Sequence, residues 1–273
     1  MSTYLNQDTI DRKSGAADLA LRRIPDLVDK IRTRRKPIDL KSCYHSLAND
    51  HLAIGYLDFF IKNDIATFKS QLYIAGRLKA AALNIDDFQR FNTGTELFHA
   101  LLSDSSEIIE EMARFDGKYF RSSRDNPLNP EFKVHMWQLA IRGDFFDLEQ
   151  KIKHASKNGR KEDRTLTAAG TDFFSLLMQR DAEGLAELIT AHADVKGNDA
   201  LMDDYLSYLA TFETKLCWYH GIEVFIDNKF VPMELMPVSP LDQYGQPYDF
   251  LEPGWQPEVT GWRGKLARWL GQG

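Results

Sequence analysis

Apolar positions recur along most of this chain at the three-and-four spacing of amphipathic helices, and they do so in a repeating block. Four segments share one layout: LDFFIKNDIATFKSQL, LFHALLSDSSEIIEEM, WQLAIRGDFFDLEQKI and FSLLMQRDAEGLAELI. Each has an apolar helix end, a short polar turn, an aspartate and a second apolar stripe. The aspartates are Asp64, Asp104, Asp144 and Asp181, at steps of 40, 40 and 37 residues. A near-constant step of this size is what arrays of two-helix units give. Ile61, Leu101, Ile141 and Met178 close the first helix of each unit. Phe68, Ile108, Leu148 and Leu185 follow four residues after the aspartate, and Leu72, Met112, Ile152 and Ile189 eight after it, so they share one face of the second helix.

The aspartates read first as N-caps whose carboxylates accept backbone N–H groups of the first turn. Glu107 stands near capping-box spacing from Asp104, and Thr93 with Glu96 predicts another such box. The competing reading, a row of functional carboxylates, is weaker because all four sit where helices begin. The same logic assigns the pairs Phe59/Phe60, Phe145/Phe146 and Phe173/Phe174 to core packing before any ligand cage. Residues 122–130 (SSRDNPLNP) form a break near the middle of the chain, residues 157–164 a charged loop, and residues 196–199 a turn. A further helix is predicted from about Ala200 through Leu206, Leu209, Phe212 and Leu216 to a Gly221 cap.

Beyond Gly221 the texture changes. Ile222–Asp227 alternates apolar and polar residues and predicts a short strand. Six prolines between Pro232 and Pro257 predict an irregular segment, ordered as a strap over the helices because Tyr244, Tyr248, Phe250 and Trp255 are costly to leave wet. Gly261–Leu270 predicts a short basic amphipathic helix docked on its own chain. The expected architecture is therefore all-α, stacked antiparallel helical hairpins with a short β element and a proline-rich C-terminal strap. The expected divisions are 1–40, a basic helical segment; 41–125 and 126–236, two helical-hairpin halves; and 237–273, the strap and terminal helix.

Composition narrows the function classes. With 43% hydrophobic and 27% charged residues, the chain is an ordinary globular one with enough length for a sizeable core. Its formal charge of −6 disfavours nucleic-acid binding. The basic cluster Arg22, Arg23, Arg32, Arg34, Arg35 and Lys36 at the N-terminus reads as helix capping and solubility. Two widely spaced cysteines, Cys43 and Cys217, read as small buried hydrophobes in a reducing compartment. No signal-like leader and no apolar run of membrane-span length is evident, so a cytoplasmic location is expected.

The candidate chemistry is sparse. The histidines are His45, His51, His99, His135, His154, His192 and His220, and none takes a metal-ligand or HExxH spacing. No nucleophile elbow or phosphate loop occurs. The adjacent acidic pairs Asp86–Asp87, Glu110–Glu111 and Asp203–Asp204 point in divergent directions on a helix, so they read as solvated faces or, more sharply, as a surface for a basic partner. No catalytic, cofactor or metal residues are assigned. The candidate partner-binding residues are those six acids with the tail aromatics Tyr244, Tyr248 and Trp255.

One stretch carries a family resemblance. The segment DFFSLLMQRDAEGLAELI from Asp172, the helix through Tyr208, Lys215 and Trp218, and the ending GIEVFIDNKFVPMEL resemble the helical immunity proteins of bacterial polymorphic toxin systems, of the immunity family forty-nine type. LYIAGRLKAA and ELFHALLSDSSEIIEEMA are similar in style, and the resemblance covers roughly residues 40–236. A related helical immunity group paired with nuclease toxins has a comparable layout. The resemblance implies a cytoplasmic, non-catalytic protein that binds a cognate toxin or secreted effector directly and neutralises it. A basic nuclease-type domain would suit the acidic balance, and a homodimer is compatible with it. A helical-repeat scaffold for another protein is the alternative, and an all-α hydrolase with a dispersed His/carboxylate site is a third.

Overall fold

The computed structural model describes residues 5–34, 37–88, 91–193, 201–245 and 247–258. The expected terminal helix at 261–270, the turn at 196–199, the helix start at Ala200, and Arg35 and Lys36 of the basic cluster lie outside them. The described residues are mainly α-helical. In chain order the helices are α1 (Gln7–Thr33), α2 (Leu40–Phe60), α3 (Ile65–Ile85), α4 (Thr95–Ser103), α5 (Ser106–Arg114) and α6 (Lys118–Ser123). They continue with α7 (Pro130–Arg142), α8 (Phe145–Asn158), α9 (Lys161–Ala169), α10 (Phe173–Gln179), α11 (Ala182–Ala193) and α12 (Tyr208–Tyr219). Single 3-10 turns follow at Met233–Leu235 and Asp249–Leu251.

The repeating block lies at contacting helix pairs, α2 with α3, α4 with α5, α7 with α8 and α10 with α11. Asp64 caps α3 by accepting from Thr67 N at 2.9 Å, and Asp181 accepts from Gly184 N at 3.0 Å at the start of α11. In three units the residue before the aspartate is left-handed: Asn63, Gly143 and Arg180. The second unit departs from this. There Asp104 itself is left-handed, with φ +57, and Ser105 takes the N-cap position. Asp144 occupies the N-cap position without a side-chain capping bond and pairs with Arg142 instead.

The displacement of Asp104 has a large consequence. Its side chain is fully buried, with Lys69 Nζ 2.7 Å from Oδ2 and Lys215 Nζ 2.7 Å from Oδ1. Lys215 is also fully buried, and it donates to the Leu235 carbonyl at 2.8 Å and to those of Met236 and Pro237 at 3.3 Å. Lys69 donates to Ser239 O at 2.6 Å, while Ser239 N donates to Asp104 Oδ2 at 3.2 Å. Next to it, Tyr244 donates to Ser103 O at 2.6 Å. Three helices, α3, α4 and α12, thus present charges that the backbone of the proline-rich segment completes. Burial works to lower the Lys215 pKa, and the Asp104 charge opposes it.

Several local expectations are corrected. Ile222–Asp227 forms no strand among the described residues. Its alternation is real, because Ile222, Val224 and Ile226 are buried while Phe225 is 70% exposed, but the buried side docks on helices and no neighbouring strand completes a ladder. Trp218 Nε1 caps one of its carbonyls, donating to Val224 O at 2.9 Å. α12 starts at Tyr208 rather than near 200, since Ser207 N is taken by Phe230 O at 2.8 Å. Gly221 does carry the positive φ expected just past that helix. No capping box forms at Thr93, where Gly94 is the cap and Glu96 lies buried 3.8 Å from Lys79. Glu107 turns to Arg77 and Tyr73 rather than to Asp104. The charged stretch 157–164 is mostly helical, broken only around Gly159.

One apolar cluster runs from Leu27 to Phe250 through every helix pair and the strap. Within it Trp137 stacks on Phe212 at 4.4 Å and Phe60 on Tyr205 at 4.7 Å. Cys43 and Cys217 are free thiols. No described helix is long and apolar enough to cross a membrane.

Replacing Asp104 strands two buried ammonium groups. Asp104→Ala is expected to cost about 3–5 kcal/mol, the range for breaking a buried ion pair from one side. Asp64→Ala removes only an exposed cap and should cost about 1 kcal/mol. Urea unfolding of both variants checks the ranking, and equal losses would contradict it.

Candidate protein-binding face

The C-terminal end of α3, the end of α5 and the start of α6 enclose a surface depression of about 600 Å³. Three of the sequence-predicted acids converge there: Asp86, Asp87 and Glu111. Asp87 is buried and accepts from Tyr119 N at 2.9 Å and Phe120 N at 3.0 Å, capping α6. Gly117 is required at this corner, because a Cβ there would collide with the Asp87 carboxylate. Asp86 pairs with Lys41 and accepts from Phe88 N at 3.0 Å. Glu111 stands exposed on the wall and makes no ion pair among the described residues; surrounding protein pushes its carboxyl above the usual range, with Arg77 pulling the other way.

Apolar side chains stand at the same place: Ile85 and Tyr119 line the depression, and Phe88 lies against Tyr119 beside it. Phe88 is 50% exposed, Ile85 49% and Tyr119 42%. The Phe88 and Tyr119 rings meet edge to face at 4.7 Å, which holds both in place without burying either. Asp116, bound to Arg121 at 2.9 Å and Arg124 at 2.6 Å, and Lys118, 5.9 Å from the Tyr119 ring, complete a charged border. A fixed aromatic pair inside a polar rim is the anatomy of a protein-binding patch.

The other predicted partner-binding residues are placed elsewhere. Glu110 bonds Arg114 one turn along α5. Asp204 is tied to α1 through Arg12 at 2.7 Å and Lys13 at 3.2 Å, and Asp203 beside it does not line the depression. The tail aromatics serve the strap. Tyr244 lies 5.0 Å from Tyr73, the buried Tyr248 bonds His51 Nε2 at 2.6 Å, and the half-buried Trp255 packs on Phe250 at 6.0 Å. Phe88, Ile85, Tyr119 and Asp116 do not stand out in the sequence. The run Asp86–Asp87–Phe88 was the available signal, an aromatic next to an acidic pair at a helix end.

The histidines do not converge. His51 bonds Gln71 and Tyr248, His99 Nε2 lies 2.9 Å from Tyr56 OH, His192 bonds Glu213, and His220 Nε2 donates to Ala140 O at 2.8 Å. Among the described residues no group of three or more histidine, cysteine or acidic side chains could hold a metal ion. Comparison with protein-family models, with curated proteins and with solved structures finds no match.

Burial lowers the pKa values of His51, His99 and His220, and it takes His135 down to about 4 with help from nearby Lys151 and Arg124. Each imidazole therefore resists protonation more in the folded than in the unfolded chain. Their contribution to stability is complete above the ordinary histidine value of 6.5 and is lost as pH falls through each lowered value, which for His135 is about 4. Glu213, whose carboxyl is raised by burial, acts in the opposite sense above the usual glutamate range. An NMR titration should find the His135 ring neutral until about pH 4. Titration near 6.5 would contradict this packing.

Proposed function

We propose that this chain is a non-catalytic immunity protein that binds and neutralises a basic toxin or effector domain in the cytoplasm of the cell that makes it. The observation that carries this reading is the exposed group of Ile85 and Tyr119, with Phe88 against the Tyr119 ring, beside the depression bordered by Asp86, Glu111 and Asp116. Adjoining exposed apolar side chains rimmed by polar groups mark interaction surfaces, and the acids favour cationic side chains between them. The resemblance of residues 40–236 to helical immunity proteins supports the same reading. The contacting helix pairs fit stacked hairpins, which join through one core and leave their outer ends free to diverge in sequence.

The test is co-expression of the tagged chain with a toxin domain encoded beside it. A stable complex and restored growth are expected. Phe88→Ala and Tyr119→Ala should each weaken the complex by about tenfold or more, as anchor residues do, and Glu111→Lys should weaken it most at low salt. Absence of a complex, or one indifferent to all three changes, contradicts the assignment.

A further inference from the structure

A second cavity, separate from that rim, lies between α7, α9, α10, α11 and α12 and encloses about 530 Å³. This is the size range of small-molecule sites. Its walls are largely aromatic and aliphatic, with Trp137, Phe173, Phe174, Leu188, Tyr208 and Leu209 among them. Helix α9 closes one side without burying any residue of its own, so the cavity is roofed by a helix that the core does not fill.

The fully buried acid of this cavity is Glu213. Its side chain is fully buried, and Oε2 lies 2.5 Å from His192 Nδ1. Oε1 is buried as well and has no hydrogen-bond partner among the described residues. Buried carboxylate oxygens are nearly always satisfied, so an acceptor left open beside an apolar wall marks a missing donor. The neighbouring acid Asp172 offers no such vacancy, because it accepts from Phe174 N at 3.1 Å and Ser175 N at 3.2 Å. Burial raises the Glu213 carboxyl, and His192 and Lys133 oppose that rise. A donor at Oε1 would add to their effect.

We propose that this cavity is a binding site for a small molecule with a flat apolar body and a terminal amine or amidine, whose N–H group donates to Glu213 Oε1 once the carboxylate turns toward the cavity, while the body packs against Trp137 and Phe174. His192 positions the carboxylate by holding Oε2. Lys133, 5.8 Å from the Trp137 ring, and Arg160, which donates to Leu128 O at 3.2 Å, sit among the lining residues and favour ligands whose outer end is neutral or anionic. The inference is independent of the toxin-binding reading, since it concerns different helices and different chemistry.

The experiment is calorimetric titration of the full chain with tryptamine and, separately, with indole-3-propionate, which presents a similar ring with the opposite charge. Saturable one-to-one binding of tryptamine is expected, with indole-3-propionate at least about tenfold weaker. Glu213→Gln should lower tryptamine affinity by about tenfold or more. Thr167→Trp, a change on the half-buried face of α9, should abolish it by filling the cavity without altering the core. The second variant keeps the test decisive if Glu213→Gln folds poorly. No binding of tryptamine, equal binding of the two probes, or tryptamine binding unchanged by Thr167→Trp would each overturn the proposal.

Discussion

A buried carboxylate between two buried ammonium groups has few stable solutions, and the arrangement of this protein follows from the one it adopts. Asp104 lies at a left-handed corner between α4 and α5, where an aspartate tolerates the backbone better than most residues. From there it meets Lys69 of α3 and Lys215 of α12. One negative charge cannot satisfy two cations buried to this degree. The remainder is supplied by carbonyls of Leu235, Met236, Pro237 and Ser239, which only an irregular, proline-interrupted backbone leaves unpaired. The strap is therefore a structural component that completes the charge balance of the helical core. Tyr244 and Tyr248 then fasten it at Ser103 and His51.

Much of the helical layout was legible because helix periodicity and capping chemistry are local. Asp64 and Asp181 sit where the spacing put them. Asp104 was misplaced in role by a single residue: Ser103, Asp104 and Ser105 are all polar, and sequence alone does not say which of them turns left-handed and which caps. The strand expected at Ile222–Asp227 failed for a different reason. Alternation reports which side of an extended segment is buried, and it carries no information about whether a neighbouring strand exists.

The candidate face was half legible. Asp86, Asp87 and Glu111 stand out in the sequence as members of acidic pairs and do meet, although Asp87 faces inward and serves α6. Phe88 and Tyr119 come from separate elements 31 residues apart, and only the fold brings their rings to 4.7 Å. Glu213 and His192 lie in apolar-rich helices and look like interruptions in a core pattern. Their pairing depends on how α11 packs on α12, a non-local fact. Tail aromatics were ambiguous between partner contact and self-packing, and the costs of wetting Tyr248 and Phe250 explain why both are buried in the chain itself.

A rigid scaffold would let the rim around Phe88 keep its shape in the absence of a partner, reducing the ordering cost of association. That rigidity depends on the strap staying closed over α3, α4 and α12. The most direct measurement is hydrogen exchange on Lys215→Met, which keeps a long apolar side chain but removes the donor to three strap carbonyls. The amides of Ser239, Leu241, Leu251 and Glu252 are expected to lose protection while α7 and α8 retain theirs. Full protection of the strap in that variant would contradict the claim that the buried charges hold it.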